Sequence, residues 1–175
     1  MLIFVVIIAP STRFRSYHHG IRDAVGWGHP PHQFTVSWLE FGEVRTWSSL
    51  IRPAPGWNLS DWSPQSALVH GIARDALREA PAASAVADDL RARLAGRVPV
   101  SDAPEFDARW LSRLLHAGGY GTAPRIEDYD RVSSAQFSGL ALDRLYETLE
   151  RHRAPHRAGP DSARLVKAWR NAQHH

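Results

Sequence analysis

The chain opens on an unbroken apolar run, Leu2 to Ala9 (L-I-F-V-V-I-I-A). Such a run reads as a central strand, because burial on both faces removes the usual alternation. Pro10 to Pro31 has no clear period and is expected to be loop, with a piece of strand at Ala24 to Gly28. Gln33 to Leu39 (Q-F-T-V-S-W-L) alternates apolar and polar, as a half-buried strand should. Phe41-Gly42 forms a turn and Glu43 to Arg52 returns as the partner strand, giving an antiparallel hairpin beside strand one. Pro53 to Pro64, dense in Pro, Gly, Asn, Asp and Ser, is loop. Short helical pieces are expected around Pro64 to His70 and Ala73 to Glu79.

The period then lengthens. Ala82 to Leu94 has Val86, Leu90 and Leu94 on one side and Asp88, Asp89, Arg91 and Arg93 on the other, an amphipathic helix stopped at Gly96. Val98 to Ser101 is a short apolar strand. The chain turns through Asp102-Ala103-Pro104 into a helix, with Pro104 suited to a first helical position. Phe106, Trp110, Leu111, Leu114 and Leu115 form its apolar face, and Gly118-Gly119 ends it. Arg125 to Val132 holds a last short strand, Gln136 to Arg151 a helix, and Pro160 to Ala172 the final helix. Three leading strands, then helix–strand–helix, then helices, describe an α/β mixed sheet with antiparallel strands at one side.

Composition narrows the chemistry. At 175 residues the chain reads as a single domain, 1–175, able to bury roughly 70% of its unfolded surface. With no Cys there is no disulfide framework, thiolate metal site or Cys nucleophile, which suits a cytoplasmic protein. The opening apolar run is too short to cross a bilayer and no Lys or Arg precedes it, so no membrane role is expected. The net charge is +3, and Lys167 is the only Lys among 21 cations. Arg forks suit phosphate recognition, although Arg-favouring codons account for the bias more simply.

Asp107 stands in the first turn of a helix, just past the carboxyl end of a strand, where open α/β folds place their chemistry. His-x4-Asp occurs three times, at His18/Asp23, His70/Asp75 and His156/Asp161, so the spacing alone decides nothing. Context favours the last pair, because Asp161 falls in the first turn of the terminal helix. A plain structural reading also exists for both acids, since a carboxylate there favours the helix macrodipole.

Several strings taken in order resemble the DEDDh-type 3′–5′ exonucleases, the superfamily of polymerase proofreading subunits and RNase T, whose fold is ribonuclease H-like. L-I-F-V-V-I-I-A is similar to that family's opening strand, and L-V-H-G-I at Leu68 to Ile72 to its H-G-I element. S-D-A-P-E-F-D-A-R-W-L resembles its second motif, and H-R-A-G-P-D at His156 to Asp161 its third. The resemblance implies metal ligation by Asp107 and Asp161, His156 as the general base that activates water, and a pair of Mg²⁺ or Mn²⁺ ions. It also implies single-stranded nucleic acid or its 3′ ends as partner, and homodimerisation, which is common in the family.

The first motif departs from the pattern. Where the family carries Asp-x-Glu, the aligned positions here are Val6 and Ile8. Two-metal hydrolysis needs about four oxygen-donor side chains, and half of them are missing. Asp102 is the nearest acid for partial rescue. Three readings follow: an exonuclease-like domain with impaired catalysis that still binds nucleic acid through Trp57, Trp62, Arg74, Arg109 and Arg157; an active metal-dependent exonuclease using compensating acids; or a non-catalytic protein-interaction module.

Overall fold

The computed structural model of the chain describes residues 3–9 (as backbone), 32–57, 72–152 and 158–174. Among the described residues five strands are arranged around the apolar opening run: β1 (Ile3–Ala9), β2 (Gln33–Glu40), β3 (Glu43–Leu50), β4 (Val98–Ser101) and β5 (Glu127–Asp128). The sheet order is β3-β2-β1-β4-β5. β2 pairs antiparallel with β1 and β3, while β4 pairs parallel with β1 and β5 with β4. β1 is therefore central, as its lack of alternation predicts. The β2–β3 turn is the two-residue loop Phe41-Gly42, with φ of 52° and 79°. Positive φ at both central positions defines the type I′ turn whose twist matches a hairpin.

Five α-helices are described: α1 (Ala83–Leu94), α2 (Pro104–Ala117), α3 (Tyr129–Gln136), α4 (Gly139–Arg151) and α5 (Ala158–Gln173). The alternation along β2 divides them between two faces. Phe34 and Val36, both fully buried, pack with Val86 and Leu90 of α1 and with Trp110, Leu111 and Leu114 of α2. On the other face lie Val100 of β4, Tyr129, Leu145, and Leu165, Val166 and Trp169 of α5. Here β2 presents hydroxyls. Ser37 Oγ bonds Ser162 Oγ of α5 at 2.7 Å and Thr46 Oγ1 at 2.8 Å, and Thr35 Oγ1 meets Ser48 Oγ at 2.9 Å. Buried hydroxyls are tolerated because they satisfy one another.

Several expected boundaries move. β3 ends at Leu50, and Arg52 instead makes an isolated bridge to Ala82. The helical piece at 73–79 shrinks to a 3-10 turn, Asp75–Leu77. The strand expected over Arg125 to Val132 is only Glu127–Asp128, because the Asp128 side chain accepts from the Arg131 N–H at 2.8 Å and caps α3. The helix expected from Gln136 begins three residues later: Phe137 turns out to pack on Trp169, ring centroids 4.7 Å apart, and Gly139 takes φ 53°. α5 starts two residues before Pro160, which its first turn accepts for want of an intrahelical N–H partner. The strand piece at Ala24 to Gly28 and the helical piece at Pro64 to His70 lie outside the described residues. No helix among the described residues is long and apolar enough to cross a membrane.

Candidate active site

β4 ends at Ser101, and α2 begins three residues later with Pro104 at its first turn. The turn between them is held by the Ser101 hydroxyl, which accepts from the Ala103 N–H at 2.9 Å. Asp107 N–H donates to the Ala103 carbonyl at 3.0 Å, the first intrahelical bond, so the Asp107 side chain comes back over the strand end. There its Oδ2 accepts from Ser101 Oγ. Asp107 is 1% exposed and Ser101 fully buried. An exposed acid merely favouring the helix dipole would not be buried. The carboxylate is kept by a hydrogen bond together with the positive end of α2.

Asp161 is half-buried in the first turn of α5. It precedes Ser162, whose hydroxyl also donates to the Gly159 carbonyl at 3.0 Å. Arg170 donates to the Gly42 carbonyl at 3.4 Å, so α5 runs from Ser37 toward the β2–β3 tip, antiparallel to β1. The N-termini of α2 and α5 therefore both face the end of the sheet where β1 and β4 finish. The two acids approach that end from opposite faces.

Val6 and Ile8 occupy β1 positions in register with Val36 and Phe34. The parallel pairing of Val5 with Val100 puts the next β1 position, Val6, beside the Ser101 end of β4. The strand thus reaches the site with aliphatic residues at both positions. Asp102 stands at the same strand end and is exposed. Among the described residues no three His, Asp or Glu side chains come together. Of these four positions only Asp107 and Asp161 offer carboxylates, whereas a pair of divalent ions needs about four oxygen donors.

Arg109 and Arg74 are exposed. Trp57 is half-buried, packs against the α1–α2 core and has the Arg113 guanidinium 5.4 Å from its ring centre. One side of its ring is occupied by core and another by a cation, so it is not an open stacking platform. His156, Trp62 and Arg157 lie outside the described residues. The residues that sequence reasoning missed are Ser101 and Arg113. Ser101 carried one signal, a hydroxyl at a strand end two residues before a helix cap; Arg113 carried only its i+4 spacing from Arg109.

No protein-family profile matches the chain. No curated protein matches it either. Solved structures do. The nuclease domain of 3'hExo, a DEDDh family member bound to rAMP, is similar over 95% of this chain and 88% of its own, with TM-score 0.62 and 16% identity. A full-length 3'-exonuclease matches over 95% of this chain and 79% of its own, with TM-score 0.54 and 16% identity. E. coli Exonuclease I in complex with a dA16 oligonucleotide matches over 95% of this chain but 39% of its own, with TM-score 0.59 and 13% identity. The fold is thus that of the DEDDh 3′–5′ exonucleases, a ribonuclease H-like α/β fold.

Proposed function

We propose that this chain is a nucleic-acid-binding domain of 3′–5′ exonuclease type whose catalysis is impaired at its first motif. The observation that carries the reading is Asp107, buried against Ser101 at the end of β4. That is where a carboxylate serves chemistry in an open α/β sheet. Asp161 in the first turn of α5 and His156 just before that helix complete what is retained; Val6 and Ile8 are what is lost. Divalent Mg²⁺ or Mn²⁺ would meet half a ligand set, so no hydrolytic step is assigned to this chain. Binding does not need the metals. Single-stranded DNA or RNA would be held by phosphate contacts from Arg109, Arg74 and Arg157 and by stacking on Trp62. We place the protein in the cytoplasm, where a Cys-free chain is indifferent to redox state.

Two measurements test this. A 5′-labelled single-stranded oligonucleotide incubated with the chain in Mn²⁺ and in Mg²⁺ should remain intact, and a Val6→Asp/Ile8→Glu double substitution should produce 3′-end shortening that Asp107→Ala abolishes. Shortening by the unaltered chain would instead establish an active enzyme with compensating acids, of which exposed Asp102 is the nearest. Oligonucleotide affinity should fall steeply with salt, and Arg109→Ala should lower the slope of log K against log salt by about one. Binding that ignores salt would leave a protein-interaction module.

A further inference from the structure

The two edges of the sheet are guarded differently. β5 is two residues long and passes at once into α3, which leaves little strand to pair with. β3 is the other edge and runs for eight residues in unbroken register with β2. It holds no Pro, no Lys and no bulge, the usual means of blunting an edge. Ile51 N–H donates to the His32 carbonyl at 2.9 Å, and the hairpin closes on a two-residue turn; both fix which amides point inward. The backbone groups of Arg45, Trp47 and Ser49 meet β2. Those of Val44, Thr46 and Ser48 point outward, and among the described residues nothing pairs with them. The open row stops at Leu50, whose carbonyl accepts from Ser49 Oγ at 2.8 Å.

The side chains beside this edge are largely cationic. On the face shared with α1, the Arg93 guanidinium lies 4.8 Å from the Trp47 ring centre and that of Arg97 5.6 Å from Trp38. Arg93 Nε is buried without a hydrogen-bond partner, and among the described residues no carboxylate forms an ion pair with Arg93. Arg170 stands at the hairpin tip, donating to the Gly42 carbonyl at 3.4 Å. Glu40 is paired with Arg45 at 3.4 Å, which leaves Glu43, the first residue of β3, as the unpaired acid here. Guanidinium groups already cover the rings of Trp38 and Trp47, so a nucleic-acid base finds no open ring on which to stack. An extended backbone, by contrast, finds a row of donors and acceptors at strand spacing.

We propose that the outer edge of β3 docks an extended, acidic segment of a partner protein, added to the sheet as a further strand. Main-chain bonds to Val44, Thr46 and Ser48 hold it. Its alternate side chains set carboxylates beside Arg93 on one face and small or hydroxyl groups beside Thr46 and Ser48 on the other. Docking needs neither Asp107 nor a metal.

A terminally blocked peptide of alternating Glu and Thr, matched in length to β3, tests this when amide exchange of the full chain is read residue by residue. The peptide should slow exchange at Val44, Thr46 and Ser48 and leave Arg45 and Trp47, already bonded to β2, unchanged. Thr46→Pro removes an outward N–H and should weaken the peptide about tenfold. Thr46→Val loses the same hydroxyl bond to Ser37 but keeps the N–H, and should bind normally. Arg93→Gln should weaken binding severalfold and flatten its salt dependence. Methyl groups on every second peptide nitrogen should abolish binding in one phase and spare it in the other. No binding, binding indifferent to Thr46→Pro, or protection without the two-residue alternation would overturn the proposal. So would protection that grows with chain concentration in the absence of peptide, which assigns the edge to a second copy, or equal protection of these amides by an oligothymidylate.

Discussion

Burying a carboxylate is costly unless donors meet it, and Asp107 is 1% exposed with Ser101 among its partners. Ser101→Ala should therefore destabilise the chain by about 1.5–3 kcal/mol, the worth of a hydrogen bond to a charged group. In an Asp107→Asn background it should cost distinctly less. Denaturant midpoints of the four variants should give a coupling above about 1 kcal/mol; no coupling would mean that Asp107 is held by its other contacts. The sequence made Asp107 visible, because the apolar period of 106–115 assigns it to the first turn of a helix just past a strand. Ser101 was harder to see, since its role depends on the acid folding back over the strand end. Trp57 misled in the opposite direction. It reads in sequence as a candidate for base stacking, and the packed structure shows it covering core beside Arg113.

At the scale of elements, α1 and the end of α2 leave no room for a side chain at Gly118. A Cβ there would lie 2.7 Å from the Ala87 Cβ, and neither backbone can give way cheaply. The φ of −83° is open to any residue, so only space is at issue. Gly118→Ala should lower stability by about 1–3 kcal/mol through overpacking, and adding Ala87→Gly should recover part of it in thermal melts. Failure to recover would point to Tyr120, whose ring is the next neighbour, 3.2 Å away. The Gly118-Gly119 pair reads in sequence as one stop signal. In the fold Gly119, at φ 81°, reverses the chain, while Gly118 makes room. The break between α3 and α4 escaped notice for a related reason. Phe137, Leu140, Ala141 and Leu145 keep helical spacing across it, yet Phe137 serves Trp169 from outside either helix and Leu140 faces solvent. Periodicity records which residues are apolar, and tertiary packing decides which of them share a helix.

For the whole molecule, the order of strands and helices was legible because each switch of hydrophobic period coincides with an element; the division between faces was not, since it rests on which side of β2 each helix covers. Tyr129 ties the second face together, donating to the Leu165 carbonyl at 2.8 Å. Burial pushes its hydroxyl well above the usual value of 10.0, so the folded chain keeps a proton that the unfolded chain releases. Stability should then be insensitive to this group below pH 10 and decline as pH rises above it. Tyr129→Phe should cost about 1 kcal/mol at neutral pH and flatten the alkaline decline; denaturation series on both sides of pH 10 would show it, and an unchanged slope would refute it. The hydroxyl pair Ser37–Ser162 joins residues 125 apart in sequence. During synthesis, at about 5–20 residues per second, the β1–β3 sheet would wait roughly 6–25 s for the helix that covers it. Thr35, Ser37, Thr46 and Ser48 make that waiting surface polar along the middle of β2 and β3, so the hairpin presents hydroxyls there rather than a continuous apolar face while the ribosome completes α5.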